Sequence, residues 1–141
     1  MQIYAGTSGF SCKAWKGPFY PADLSDSEML RYYAQRLDAV EINSTFYRMP
    51  RPETLAGWAS CVPETFRFVI KTPQRITHRA RLTGAEVLVQ YLWRAVSRLG
   101  ERRGPLLVQL PPNFRADLAR LDGFLSSLPN DCRVAMEFRP A

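Results

Sequence analysis

The stretch Val40-Glu-Ile-Asn-Ser-Thr-Phe-Tyr-Arg-Met-Pro50 decides the fold of this chain, because it changes character halfway along. Val40 and Ile42 alternate with Glu41 and Asn43, as in a strand that packs its apolar side chains on one face. The run then becomes polar and aromatic, and it stops at a proline. This pattern predicts a strand that delivers a carboxylate and an amide to a site at its end.

Four other segments have the alternating or continuous apolar pattern of strands, and helical patterns separate them. Pairs of capping residues precede the first and third helices, and a proline begins the second. The predicted strands, besides the one at Val40, are Gln2–Gly6, Phe66–Lys71, Leu106–Leu110 and Cys132–Arg139. The predicted helices follow Ser25 and Glu28, begin at Pro52, follow Thr83 and Glu86 with an apolar stripe from Val87 to Leu99, and run from Leu118 to Leu128.

About five strands and four helices alternate at intervals of about thirty residues, which predicts right-handed βαβ units and a parallel sheet. No G-x-G-x-x-G motif follows the first strand, and every strand is followed by an elaborated loop. Both features favour a TIM-type (β/α) barrel over a doubly wound sheet.

A complete barrel of this type takes about 250 residues, and this chain has 141. We therefore expect residues 1–141 to be a single domain that is the N-terminal portion of a barrel, truncated after strand five. Its first and last strands would be unpaired edges, so we expect the chain either to form a homodimer through the open barrel edges or to aggregate.

The strand pattern also predicts a site, because residues two apart share a face of the sheet and the apolar set must meet the helices. The polar residues at the strand ends then face the barrel interior at its C-terminal rim, where barrel enzymes carry their catalytic side chains. These residues are Glu41, Asn43, Lys71, Gln109, Glu137 and Arg139.

Two carboxylates near cations can hold protons with unequal affinity, so Glu41 and Glu137 are candidates for a catalytic acid and base. Lys71, a further catalytic candidate, and Arg139 suit an anionic or developing negative centre. Asn43 and Gln109 suit the orientation of hydroxyl or carbonyl groups. Candidates for substrate binding are Asn43, Tyr47, Arg48, Gln109 and Arg139. A self-neutralising network of ion pairs is the structural alternative.

His78 is the sole histidine, so a zinc site with several histidines is excluded. The residue is a catalytic candidate as a loop base, and a structural role is the alternative. Its neighbours Thr77 and three arginines suggest a lip that binds anions. A Mg²⁺ or Mn²⁺ site that uses Glu41 and Glu137 is conceivable, but no metal ligand and no cofactor is assigned.

The composition limits the classes of partner that the chain can bind. A net charge of +6 comes from sixteen Arg and three Lys against thirteen acidic residues, which is compatible with an anionic small molecule or with nucleic acid. Solvated arginines spread over helix faces explain the charge equally well. Neither a signal peptide nor an apolar run of membrane-spanning length is present, so we expect a cytoplasmic protein with no membrane partner.

Several short motifs resemble those of the YecE-like proteins, domain-of-unknown-function family 72. The motifs are Gly6-Thr-Ser-Gly9, Val40-Glu-Ile-Asn-Ser-Thr-Phe-Tyr-Arg48, Ile76-Thr-His78, Gln109-Leu-Pro-Pro112 and Glu137-Phe-Arg139. The resemblance covers the whole chain and implies a TIM-type barrel with its site at the C-terminal rim. It implies no reaction, substrate or cofactor.

Three functional hypotheses remain open. The first is an enzyme that performs acid–base chemistry, hydrolytic or isomerising, on a polar and anionic small molecule at the rim. The second is a nucleic-acid-binding barrel in which Arg75, Arg79 and Arg81 contact phosphates. The third is a truncated fragment without a function of its own.

Overall fold

A five-stranded parallel sheet forms the frame of the chain in the computed structural model, which describes residues 1–139. The strands lie side by side in the order in which they occur along the chain. Sequential order is typical of a barrel wall, whereas a doubly wound sheet reverses its order at the middle. The strands are β1 Gly6–Ser8, β2 Ala39–Ile42, β3 Arg67–Lys71, β4 Arg103–Gln109 and β5 Val134–Glu137.

The prediction of an α/β fold with a parallel sheet is confirmed, but the five strands do not close into a barrel. Within residues 1–139, β1 pairs only with β2 and β5 pairs only with β4. Helices cover one face of this sheet. We call the opposite face the open face.

Five α-helices connect the strands, one more than the four predicted from the sequence. They are α1 Met29–Ala34, α2 Ser44–Tyr47, α3 Pro52–Ser60, α4 Glu86–Val96 and α5 Leu118–Ser126. The additional helix is α2, a single turn inside the stretch that decides the fold. Shorter helical segments are the π-helix Arg75–Arg79 and the 3₁₀ segments Lys13–Trp15, Asp26–Glu28 and Ser97–Arg102.

The core lies between the sheet and the helices, and it is built from every second residue of the central strands. Val40 pairs with Phe68, and Ile42 pairs with Ile70, which in turn pairs with Leu106. Each of these five side chains is at most 3% exposed. The predicted alternation of faces is therefore confirmed, and the intervening residues lie on the open face.

Two predicted helix starts differ from the structure. The Ser25 and Glu28 capping pair does not form, because Ser25 Oγ lies 3.0 Å from Ser27 Oγ and Glu28 contacts Arg31 instead. Ala85, not Thr83, occupies the N-cap position of α4.

The buried face of α4 is also narrower than the predicted stripe. It centres on Val89, Leu92 and Val96, which turns Val87 and Tyr91 outward to 78% and 48% exposure. A three- and four-residue spacing describes this face better than the broad stripe does.

Strand β1 begins at Gly6, where the predicted strand ended. A Cβ atom at position 6 would lie 1.9 Å from the carbonyl oxygen of Ala39, so a glycine is needed for β1 to pair with β2. The missing side chain of Gly6 therefore allows the backbone of β1 to lie close to the backbone of β2. None of the helices in the described residues has the length and apolar character needed to cross a lipid bilayer.

The hydroxyl group of Tyr33 joins α1 to the first two strands. It accepts a hydrogen bond from the backbone N–H of Thr7 at 2.8 Å and donates one to the carbonyl of Ala39 at 3.0 Å. Tyr33 is 0% exposed, so water cannot replace these contacts. The hydroxyl satisfies two backbone groups of the sheet edge at once.

We predict that Tyr33→Phe lowers the free energy of unfolding by about 1–3 kcal/mol, because it leaves buried backbone groups without partners. Chemical denaturation followed by circular dichroism measures the change. The matched control is Tyr32→Phe, since the Tyr32 hydroxyl makes no hydrogen bond within residues 1–139 and its loss should change stability little. Equal effects of the two substitutions would contradict the role assigned to Tyr33.

Candidate functional site

Polar side chains gather at the carboxyl ends of the strands on the open face, where the alternation of faces predicted them. They form two separate groups. We call Ser8, Glu41 and Asn43 the Glu41 cluster, and we call Gln109, Glu137 and Arg139 the Glu137 cluster. Each cluster spans two adjacent strands and contains one carboxylate.

In the Glu41 cluster, β1 and β2 are in register so that Ser8 pairs with Glu41. Ser8 Oγ donates a hydrogen bond to Glu41 Oε1 at 2.9 Å, and Asn43 Nδ2 donates to Ser8 Oγ. Ser8 was not among the predicted site residues. A polar residue at the end of the first strand was the available signal, but it was hidden because that strand was predicted to end at Gly6.

In the Glu137 cluster, both carboxylate oxygens of Glu137 have donors. Gln109 Nε2 donates to Oε2 at 2.8 Å, and Arg139 Nε donates to Oε1 at 2.9 Å. These two hydrogen bonds, followed by the charges of Arg139 and Lys71, lower the pKa of Glu137 below its ordinary value. The group therefore remains ionised as the pH falls through the range where a free glutamate takes up a proton.

The structure does not bring Glu41 and Glu137 together. They lie on β2 and β5, with β3 and β4 between them. Neighbouring strands are about 4.8 Å apart, so the separation measured along the sheet is about 14 Å. An acid and base that act on one bond, or two ligands of one metal ion, need a much shorter separation. Within residues 1–139, no three side chains of His, Cys, Asp or Glu are grouped so that they could hold a metal ion.

His78 is positioned beside the Glu137 cluster by the π-helix that follows β3. Its Nδ1 lies 2.8 Å from Thr77 Oγ1, and its ring meets the Phe46 ring edge to face, with centroids 5.0 Å apart. Burial is the main cause that lowers the pKa of His78, and the charges of Arg139, Lys71 and Arg81 lower it further. The imidazole is therefore neutral at pH 7.

Lys71 ends β3 between the two clusters. Its ammonium group lies 5.3 Å from the centroid of the Phe46 ring, and no salt bridge in the described part of the chain includes it. Phe46 thus contacts both Lys71 and His78, although no sequence pattern distinguishes it from its neighbours in α2. We call Lys71, His78, Gln109, Glu137 and Arg139 the rim site.

Two predicted binding residues lie apart from the rim site. Tyr47 is 75% exposed. Its ring and the Phe46 ring are in edge-to-face contact, with centroids 5.1 Å apart. Arg48 lines a cavity between α2 and α3. Both follow the strand end in sequence, but the turn of α2 directs the chain away from the open face.

The three arginines of the loop after β3 differ in their contacts. Arg75 and Arg79 are exposed. Arg81 donates hydrogen bonds to Asn113 Oδ1 at 3.1 Å and to the Asn113 carbonyl at 2.9 Å, and its guanidinium lies over the Phe114 ring. Arg81 therefore ties this loop to the loop after β4, which leaves two of the three arginines available for the phosphate contacts of the nucleic-acid hypothesis.

We predict that His78 titrates below its ordinary pKa of 6.5, as measured by proton NMR of its C2–H, which is unambiguous because the chain has one histidine. Arg139→Gln should raise this pKa, because it removes a nearby positive charge and leaves Glu137 without its cation. Arg36→Gln is the control, since the Arg36 guanidinium lies over the Tyr32 ring and is not among the charges that shift the pKa of His78, so the titration should be unchanged. A His78 pKa that is the same in all three proteins would contradict the electrostatic coupling of the rim site.

Comparison with known proteins identifies relatives over nearly the whole chain. The family model described as "Protein of unknown function DUF72" matches residues 4–141. The UPF0759 protein YecE of Escherichia coli strain K12 is 36% identical over 111 residues, which are 78% of this chain and 41% of that protein. The UPF0759 protein YunF of Bacillus subtilis is 28% identical over 79 residues, which are 56% of this chain and 27% of that protein.

Two solved structures have the same arrangement of strands and helices. A DUF72 family protein from Thermotoga maritima is similar with a TM-score of 0.80 and 30% identity, over 96% of this chain and 56% of that one. A DUF72 family protein from Enterococcus faecalis has a TM-score of 0.80 and 25% identity, over 97% of this chain and 50% of that one. The chain thus spans about half the length of the relatives it matches. The family predicted from the motifs is confirmed, and this chain belongs to the DUF72 family.

Proposed function

We propose that the rim site is the active site of an enzyme that performs acid–base chemistry on a polar, anionic small molecule. The observation that carries this proposal is a neutral histidine beside cations that are not all neutralised. Burial and the neighbouring cations lower the pKa of His78, which favours its neutral form, and Lys71 forms no salt bridge within residues 1–139. A base next to an anion-binding group is the minimum that proton transfer from an anionic substrate requires.

His78 acts as the general base in this proposal. The Thr77 hydroxyl lies 3.5 Å from the carbonyl of Pro73 and donates a hydrogen bond to it, so Thr77 Oγ1 accepts a hydrogen bond from the Nδ1–H group of His78. This tautomer leaves the lone pair of Nε2 free to take a proton from the substrate. The edge-to-face contact with the Phe46 ring limits rotation of the imidazole. The direction in which Nε2 points is therefore restricted.

Glu137, predicted with Glu41 as one member of an acid–base pair, is a positioning carboxylate in this proposal, because its lowered pKa keeps it ionised and both of its oxygens accept hydrogen bonds. The carboxylate instead holds Arg139 and Gln109 in place at the rim. Lys71 and Arg139 bind the anionic group of the substrate and stabilise negative charge that develops when His78 removes a proton.

We also propose that the five strands are one side of a TIM-type barrel whose interior is the open face described above. Sequential parallel strands and polar side chains at their carboxyl ends support this architecture. The chain covers 56% of the Thermotoga maritima relative, which leaves enough of that protein for three further strands. Residues 1–141 then constitute the N-terminal part of the barrel domain.

The test is a turnover screen of carboxylated and phosphorylated small molecules, with this protein and with a full-length relative that carries the aligned substitutions. His78→Asn should lower kcat by about 10²–10⁴-fold, the usual contribution of a general base. The rate of the unsubstituted protein should rise with pH through a pKa below 6.5, as His78 loses its proton. Glu137→Gln should also lower the rate, whereas the exposed Glu64→Gln is the matched control and should not.

Circular dichroism must first show that each variant is folded. Turnover that persists unchanged in His78→Asn would exclude His78 as the base. A screen without turnover, in which no anion shifts the His78 C2–H resonance, would exclude the rim site as an active site.

A further inference from the structure

A cavity of about 270 Å³ lies between α2 and α3, away from the rim site. Its lining residues include two arginines, Arg48 and Arg51, and two hydroxyl residues, Ser44 and Thr54, all of them exposed to solvent. Trp58 contributes an aromatic surface. We call this space the arginine cavity. Its volume is slightly below the range of about 300–1,000 Å³ that is typical of ligand pockets, so it suits a small group rather than a large cofactor.

Neither arginine of this cavity is neutralised by the protein. Within residues 1–139, Arg48 and Arg51 form no salt bridge, and their side chains donate no hydrogen bond. Within the same residues, four other arginines do have carboxylate partners, as Arg103 has Asp131 at 2.8 Å. Two uncompensated guanidiniums at one cavity create a local positive potential that favours an anion.

The backbone that carries the two arginines is conformationally restricted before any ligand arrives. Arg48 and Arg51 both have extended conformations, with φ and ψ of −138° and 130°, and −86° and 136°, respectively. Arg51 precedes Pro52, which disfavours the helical conformation at position 51. Pro50, between the arginines, is buried. The backbone of the segment is therefore restricted by Pro50 between the arginines and by Pro52 after them, which lowers the backbone entropy lost on binding.

The aromatic surface of the cavity is also fixed. The Trp58 ring stacks on Phe68 with an interplanar angle of 18°, and Phe10 contacts it edge to face with centroids 6.1 Å apart. Met49 adds a second apolar lining residue. A ligand in this cavity thus meets cationic and hydroxyl donors together with a rigid apolar surface.

We propose that the arginine cavity binds the phosphate group of a small phosphate ester. A carboxylate has two oxygens, which a single guanidinium can satisfy, whereas a phosphate monoester presents three that match two guanidiniums and neighbouring hydroxyls. The organic part of the ester packs on Trp58. This site goes beyond the proposed function, because it uses neither Lys71 nor His78.

A second cavity, of about 230 Å³, indicates where the rest of the ester lies. It shares Ser44 and Trp58 with the arginine cavity, and it is also lined by Ser8 and Asn43 of the Glu41 cluster. An ester with its phosphate on Arg48 and Arg51 therefore extends its organic part past Trp58 towards the Glu41 cluster, whose donors and acceptors suit hydroxyl groups.

Isothermal titration calorimetry of the 141-residue chain with phenyl phosphate, inorganic phosphate and benzoate tests the proposal. Phenyl phosphate should bind most tightly, because its ring contacts Trp58, and inorganic phosphate should bind more weakly at the same place. Benzoate, which has the ring but not the phosphate, should bind weakest. Affinity for phenyl phosphate should rise between pH 5 and pH 7.5, since the second ionisation of a phosphate ester lies near about pH 6.

Variants separate specific recognition from general attraction to a basic protein. Arg48→Ala with Arg51→Ala should weaken phenyl phosphate binding by about tenfold or more, as expected for loss of charged hydrogen bonds. Arg48→Lys with Arg51→Lys keeps the charge and should recover only part of the affinity, because lysine lacks the bidentate fork. Arg94→Ala with Arg98→Ala is the matched control, since it removes two exposed arginines of α4 and the segment after it.

Three results would overturn the proposal. They are no measurable binding of either phosphate ligand, equal weakening by the cavity variant and the matched control, and benzoate binding as tight as that of phenyl phosphate. Each of them leaves the proposal for the rim site unaffected, because the variants do not change Lys71, His78 or Glu137.

Discussion

The burial of alternate side chains of β2, β3 and β4 against the helices is the constraint on which the rest of the structure depends. Val40, Phe68 and Ile70 are almost completely buried on this face. Because a one-residue slip would move the whole apolar set to solvent, the register of each strand is fixed. The same register places Glu41, Lys71 and the other polar strand ends on the open face, without any interaction among the polar residues themselves.

The sequence was sufficient for this part of the fold, because alternation is a local property. The position of Glu41, Lys71, Gln109 and Glu137 on the open face follows from this alternation directly. The distance between Glu41 and Glu137 does not, since it depends on how many strands lie between them, and strand order is a property of the whole chain. Ser8 was missed for a related reason, because the start of β1 is set by the contact of Gly6 with Ala39.

Local backbone conformations account for the remaining differences between the predicted and the observed positions of the site residues. The turn of α2 inside the stretch from Val40 to Pro50 depends on Thr45, whose hydroxyl lies 2.8 Å from the Ile42 carbonyl and 2.7 Å from the Lys71 carbonyl. The Lys71 partner lies on another strand, so no pattern within the stretch reveals it. That turn brings Phe46 against Lys71 and His78, and it separates Arg48 from the rim site. One short helix thus divides the predicted residues between two sites.

The central claim is that Lys71, which has no carboxylate partner within residues 1–139, binds an anion next to His78 together with Arg139, rather than joining a closed network of ion pairs with Glu137. A crystal structure of the chain soaked in malonate, a small dicarboxylate, tests this most directly. We predict a malonate carboxylate bound by Lys71 and Arg139, with the molecule within hydrogen-bonding distance of His78 Nε2. A rim without malonate, in which Lys71 and Arg139 both pair with Glu137 in a closed network, would contradict the claim.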